Sequence, residues 1–443
     1  MSGIPKVSAD DGIPATLQSA GAFYFWLAVL FTGVGTGLGA AALTRLLELT
    51  QHAAWNGSPT NILDAAQHAS IARHVLILLG AGILTGVGQI LLKQLSSGNG
   101  IDTTAAIWFH AGRMPPLRTL GSAILSIFVV GMGASLGREG APKQAGAVFA
   151  NFFSDRALLS DEQRRLLVAC GAGAGMAAAY GVPLGGALFA LEVMRGKLAL
   201  RFVLPALFTS LIATGVSWLI LPDVPTYIIP AYPTSASVLI WSLFVAPIAG
   251  VASVLYVRFI RWADQNKPHG WQRIIAPVAV LGLVGILSVR FPEILGNGRD
   301  ISQLLFTNQV APLLVLGLLL LKPAATIFCV RSGVPGGLFT PSLAMGALLG
   351  ATLGHAWIWL WPGAPLGLFA ILGAGAVLAA TTQGPISAVV LIVELTSRDR
   401  SFILPLLLVC AIATLVSRSI EPRSIYDARL SDAEVEQRRR LRE

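Results

Sequence analysis

One carboxylate is placed where hydrocarbon is the expected neighbour. In GASLGREGAPKQ, residues 133–144, Arg138 and Glu139 sit between two long apolar runs with Gly137 and Gly140 on either side. An acid at the centre of a spanning helix costs about 2.5–3.5 kcal/mol, so donors are needed to offset it. The chain supplies them as glycine-rich islands that open helical segments: GNGID and GREGAP in the first half, GNGRD and PGGLFTP in the second. Glycine lets the backbone turn closely and bare its N–H groups, and a helix beginning there points its positive end at whatever lies in front. One such terminus is worth about 0.3–1 kcal/mol, up to ~2 when partly buried. Several converging make an anion site without the grip of a charged lysine. Glu139 then reads as a negative charge placed where such donors would offset its cost. A simple Arg138–Glu139 pair explains less, because adjacent helical residues do not face each other.

The elements that must position these islands are membrane helices. The chain of 443 residues is 54% hydrophobic and only 12% charged, with a mean hydropathy of +0.71, where soluble domains carry about 25% charged residues. From Ser332 to Val393 there is no Asp, Glu, Lys or Arg. A span takes roughly 20 apolar residues, so that run crosses or re-enters the membrane more than once. Apolar segments lie near 22–48, 73–95, 117–136, 166–194, 201–221, 236–260, 274–290, 302–330, 338–361, 365–396 and 402–420. They predict an all-α polytopic membrane protein. Several are interrupted by Gly or Pro, as broken and re-entrant helices lining a polar cavity are.

Residues 1–20 read as a polar cytoplasmic tail, without the order of a signal peptide. Residues 21–428 read as one transmembrane domain and 429–443 as a basic cytoplasmic tail, with no soluble domain following. The net charge of +9 does not point to nucleic acid, because the basic residues cluster at segment ends: Arg195, Lys197 and Arg201, then Arg398 and Arg400, then Arg418, Arg423 and Arg429. That is a positive-inside bias, which places both termini in the cytoplasm and makes lipid the surrounding partner. Cys170, Cys329 and Cys410 are scattered, with no C-x-x-C pair and no H-E-x-x-H, so neither disulfides nor a metal cluster is expected. GASLG fits G-x-S-x-G, but a nucleophile elbow needs a strand-to-helix turn and later acid and histidine partners. Ser135 lies in an oily helical run instead. No enzymatic activity is expected, and a cation path is disfavoured because the islands offer N–H donors rather than rings of carbonyls.

The chain is also written twice. GAGAGMAAAYGVPLGGALFALEV (171–193) aligns without gaps to GAGAVLAATTQGPISAVVLIVEL (373–395), which sets Pro183 against Pro385 and Glu192 against Glu394. SGNGID and LGNGRD recur at nearly the same offset, and that offset carries Gly137 onto Pro335 of VPGGLFTP. Three aligned blocks in one order mark a duplication, with repeats near 21–221 and 236–420. Duplicated halves with interrupted helices are typical of transporters and channels whose site lies at the repeat interface. Whether the repeats are parallel or inverted is open at this stage.

GREG followed by a proline, GGxFxP, a GxG island ahead of both and the late tyrosine of SIYD together resemble the CLC chloride channels and chloride/proton exchangers. The resemblance runs from about residue 22 to 428, and ACGAGAGMAAAYGVPLGGALFALEV and SIYDARL are similar to a bacterial branch described as voltage-gated chloride channels. It implies an inverted-repeat bundle of about eighteen helices, forming homodimers in a bacterial inner membrane with a pore in each subunit, chloride as the transported ion and no cofactor. By the same resemblance Glu139 is the gate. The amide of Phe339 and the hydroxyl of Tyr426 contact the anion, and the amides of Arg138, Gly140 and Leu338 complete the cradle. Asn99 stands where the family usually has an anion-contacting serine. The family's exchangers often carry two glutamates where this chain has Glu192 and Val193. Valine cannot relay a proton, so the resemblance favours a channel-like chloride permease. A chloride/proton antiporter is the alternative, with Glu192 as its candidate relay.

Overall fold

The computed structural model describes residues 12–14, 21–56, 61–95, 102–397, 400–428 and 430–442. Among them are eighteen α-helices and no strand. The first half contains α1 (Ala22–Trp55), α2 (Ile62–Gln67), α3 (Ile71–Leu95), α4 (Thr103–Phe109), α5 (Pro116–Gly131), α6 (Gly140–Arg156), α7 (Asp161–Tyr180), α8 (Pro183–Leu188) and α9 (Leu200–Ser217). A π-helical turn, Phe189–Arg195, extends α8. The second half contains α10 (Ala236–Gln265), α11 (Gln272–Ser288), α12 (Arg299–Phe306), α13 (Pro312–Ser332), α14 (Phe339–Leu360), α15 (Leu366–Thr382), α16 (Pro385–Thr396) and α17 (Ile403–Ile420). A short 3₁₀ turn, Ile425–Asp427, and α18 (Asp432–Arg442) follow.

Apart from α2 and α18, each helix of one half has a counterpart in the other. The packing repeats as well: α6 lies on α7 as α14 lies on α15, and α1 on α9 as α10 on α17. In lipid no hydrophobic force drives helices together, so close approach of small residues does that work. A Cβ on Gly146 would fall 1.9 Å from the carbonyl oxygen of Gly171, and one on Gly346 2.4 Å from that of Gly373. Among the described residues, seven helices are long and apolar enough to cross a membrane: α1, α3, α9, α10, α13, α14 and α17.

Three apolar runs that look continuous in the sequence divide. The run 166–194 breaks after Tyr180, where Gly181 takes φ +69° and Pro183 starts α8. The run 365–396 breaks in the same way at Gln383, φ +60°, before Pro385. A left-handed residue ends a helix, and proline suits the first turn of the next because its missing N–H has no partner there anyway. The run 302–330 divides between Phe306 and Pro312.

The broken helices settle the relation of the repeats. Glu192, near the end of the segment begun by α8, accepts from the amides of Ile386 and Ser387 at 3.2 and 2.6 Å, and from the Ser387 hydroxyl at 2.6 Å. Glu394, near the end of α16, accepts from the amides of Leu184 and Gly185 at 3.0 and 2.6 Å. The end of each segment thus caps the start of the other. The two run antiparallel, and the repeats are inverted.

Two buried cations fix the ends of the bundle. Lys322 of α13 is 1% exposed and donates to the carbonyls of Ile294, Leu295 and Gly296 at 2.8, 3.0 and 2.8 Å, pinning the GNGRD island. The segment read as a basic tail contains α18, which docks through Arg438. That guanidinium is ion-paired with Asp427, donates to Val193 O at 2.9 Å and lies 4.9 Å over the Trp108 ring. A buried charge must be paired, and Asp427 supplies the partner that composition alone does not reveal.

Candidate functional site

GREGAP and PGGLFTP meet. Gly137 N donates to Gly337 O at 2.8 Å and Gly337 N to Gly137 O at 2.7 Å, an antiparallel bridge at the points where α6 and α14 begin. Against it lies the Glu139 side chain, 4% exposed. Its Oε1 accepts from the amides of Phe339 and Thr340 at 2.6 and 3.3 Å. Its Oε2 accepts from Thr340 Oγ1 at 3.1 Å and Tyr180 OH at 3.4 Å. The carboxylate therefore occupies the N-terminus of α14, where unpaired amides and the helix dipole favour negative charge.

The glycines of the islands follow from this seat. A Cβ on Gly137 would stand 2.0 Å from Glu139 Oε1, and one on Gly337 2.4 Å from the same oxygen. Any larger residue at either place would expel the carboxylate.

Of the residues singled out in the sequence, Arg138, Glu139, Gly140, Leu338 and Phe339 converge here. The bonds to the carboxylate come from Phe339 and, beyond the sequence reading, from Thr340 and Tyr180. Arg138 turns its guanidinium over the Tyr180 ring at 4.8 Å. Tyr426 is met by Lys143, one helical turn beyond Glu139 on α6, whose Nζ lies 4.6 Å from its ring, and it stands edge-on to Phe189 at 5.5 Å. Lys143 N bonds back to Glu139 O at 3.2 Å, which sets that one-turn spacing. Asn99 lies outside the described residues. Val193 is a buried wall, 2% exposed, and the Glu192 carboxylate is taken up by the first turn of α16. Ser135 is buried with its hydroxyl 3.3 Å from that of Thr326.

Sequence reasoning missed Tyr180 and Thr340. Tyr180 looks like one more core aromatic in an oily helix, and Thr340 fills the variable place of GGxFxP.

A narrow vestibule and a wider one reach the segment around Glu139 from opposite ends of α3. Arg138, Arg299 and the GNGRD loop line one, beside Glu48 and Gln51 near the end of α1. Arg73, donating to Ala54 O at 3.0 Å, ties the start of α3 to that end of α1. From there α3 carries Gln89 and Lys93 to the other vestibule, which reaches Gln144 and Pro335.

A family model described as voltage-gated chloride channel matches residues 79–418. The H(+)/Cl(-) exchange transporter ClcA of Salmonella schwarzengrund (strain CVM19633) is 30% identical over 431 residues, covering 91% of this chain and 88% of its own length. This chain belongs to the CLC family. Its CLC fold is also that of a slow cyanobacterial Cl-/H+ antiporter, with a TM-score of 0.81 at 22% identity over 94% of this chain and 99% of the other. A CLC-type fluoride/proton antiporter matches with a TM-score of 0.73 at 22% identity, over 92% and 98% of the two chains. The CLC family consists of integral membrane transport proteins, so membrane transport is the coarse function. The relatives' names favour exchange over the channel-like reading that Val193 suggested.

Proposed function

We propose that this CLC protein exchanges chloride for protons across a bacterial inner membrane. The seat of Glu139 carries the reading. A carboxylate resting on the amides of Phe339 and Thr340 supports an anion place there, and the same carboxylate can carry a proton once it leaves. One group thus links the two ions. Chloride takes the amides when Glu139 is protonated, and Glu139 reclaims them when it ionises.

The Salmonella relatives, named exchangers at about the same length, support exchange over passive conduction. Val193 remains the observation in favour of a channel. With Glu192 engaged by α16, water in the vestibule reaching Gln144 is the proton route to Glu139. We assign that vestibule to the cytoplasmic side: Lys93, Arg118 and Lys267 line it beside Asp102, Asp264 and Glu434, and a positive-inside bias supports this side for the bases. Both termini lie on that side, and the working unit is a homodimer with one pore per subunit.

The test is simultaneous recording of chloride and protons from proteoliposomes under an imposed chloride gradient. Exchange predicts uphill proton movement in fixed ratio to chloride, collapsed by a protonophore. Chloride flux without proton movement establishes the channel instead.

A further inference from the structure

Two hydroxyls touch the gate, and the anion cradle itself requires neither. Thr340 Oγ1 and Tyr180 OH stand 3.1 and 3.4 Å from Glu139 Oε2, and 3.0 Å from each other. All three side chains are buried. Tyr180 is the last residue of α7, held by the Arg138 guanidinium over its ring and by the Thr226 hydroxyl, which donates to Tyr180 O at 3.4 Å. Thr340 is the second residue of α14, so the helix start that presents the amides also presents this hydroxyl.

We propose that Tyr180 and Thr340 form a hydroxyl latch that positions Glu139 in the cradle and sets the pH and chloride concentration at which the gate leaves. The inference rests on the exchange reading, in which Glu139 and chloride compete for one place. Each hydroxyl has a single proton to give. Both donate to Oε2, or one donates to the other and the second donates to Oε2; in every case the anionic oxygen receives a bond. Bonds to a charged acceptor are roughly twice as strong as neutral ones and favour the ionised form. The latch therefore opposes protonation.

It also opposes chloride. Oε1 rests on the amides while Oε2 takes the hydroxyls, so an incoming chloride must displace the hydroxyl bonds as well as the amide bonds. Loss of a hydroxyl makes the carboxylate the weaker competitor. The titratable and charged groups facing Glu139 are Arg138 beside it, Lys143 one turn along α6, Tyr180 on α7, Tyr256 on α10 and Tyr426 on the last 3₁₀ turn. Arginine, lysine and tyrosine titrate far above a carboxylate, but Asp102 and Asp300 are among further carboxylates lining the vestibules, so the midpoint read is the part of the acid-side profile that Glu139→Gln abolishes.

The experiment uses the full-length protein, in liposomes for flux and in detergent for calorimetric chloride titration. Tyr180→Phe removes one oxygen and Thr340→Ala one hydroxyl, while Thr340→Ser keeps it. A hydrogen bond to a charged group contributes enough to move a midpoint by about one pH unit. Loss of either hydroxyl should shift the acid-side midpoint of chloride flux up by about that much and tighten chloride binding several-fold. Thr340→Ser should match the wild type in both. Tyr180→Phe and Thr340→Ala proteins that elute as the wild type does and keep its midpoint and chloride affinity would overturn the latch. So would Thr340→Ser shifting as far as Thr340→Ala. A wild-type protein that neither binds nor moves chloride would instead remove the exchange reading, and the latch with it.

Discussion

The amide of Phe339 donates to Oε1 of Glu139 at 2.6 Å, joining residues 200 positions apart across the interface of the two repeats. Neither half makes this contact alone. The second half brings the amides and the first brings the carboxylate that rests on them.

Replacing Glu139 by glutamine keeps the shape and removes both the charge and the proton. Glutamine offers the amides one neutral oxygen in place of a carboxylate, and its NH₂ cannot accept, so it competes poorly with an anion. Chloride flux through Glu139→Gln should become independent of pH between 4 and 8, while wild-type flux rises as pH falls and the gate protonates. Proton movement should stop. Paired chloride and pH electrodes on proteoliposomes check both, and a pH profile unchanged by the substitution would show that Glu139 is not the sensor.

Glu192→Gln tests the relay. The wild-type carboxylate is consumed by the amides of Ile386 and Ser387 and the Ser387 hydroxyl, so the variant should keep its proton-to-chloride ratio. It should lose stability, about 1–3 kcal/mol, from weakened charge-assisted bonds at the start of α16. Glu394→Gln should cost a similar amount by the same loss at α8. Thermal unfolding in detergent and flux ratios separate the two effects. Uncoupled flux in Glu192→Gln would restore the residue as a proton carrier.

Asp427 and Arg438 form a buried pair whose side chains are 4% and 3% exposed. Removing one partner leaves a buried charge uncompensated, which costs about 3–5 kcal/mol. Asp427→Ala should therefore lower the midpoint of thermal unfolding strongly. The double variant Asp427→Asn/Arg438→Gln should recover much of the loss. Equal destabilisation in the single and double variants would show that the two charges do not depend on each other.

Close packing gives a contrast within one residue type. Gly146→Ala would drive a methyl to 1.9 Å from Gly171 O and should cost about 3 kcal/mol. Gly317→Ala, in α13, has nothing within 4 Å of the new Cβ and should be neutral or stabilise by about 0.4–1 kcal/mol. Thermal shifts of the purified proteins should separate the two variants clearly.

The sequence made the architecture readable because lipid limits the choices: apolar runs become helices, and paired islands at a fixed spacing become an interface. Glu139 was readable because an acid is costly there. Three breaks inside apolar runs were not, since they depend on left-handed Gly181 and Gln383 and on where Phe306 stops. The hydroxyls of Tyr180 and Thr340 were hidden for another reason. They act across 41 and 201 positions of chain, where no periodicity or motif reports a contact. Arg438 looked like one of several solvated charges in a basic tail, because burial is a property of the folded surface it meets.

The crossed caps of Glu192 and Glu394 bear on ancestry. Residue 192 serves residues 386 and 387, while residue 394 serves 184 and 185. Shifting every position by the repeat offset exchanges one contact for the other. Such a contact is isologous, the kind a twofold homodimer makes when the same patch meets itself. A single half inserted in both orientations would have closed this interface with a second copy of itself, each glutamate capping its partner's helix. Fusion of the two genes then had to invent no new contact at this place. It freed the two copies to diverge elsewhere, one keeping the acid of GREGAP and the other the amides of PGGLFTP.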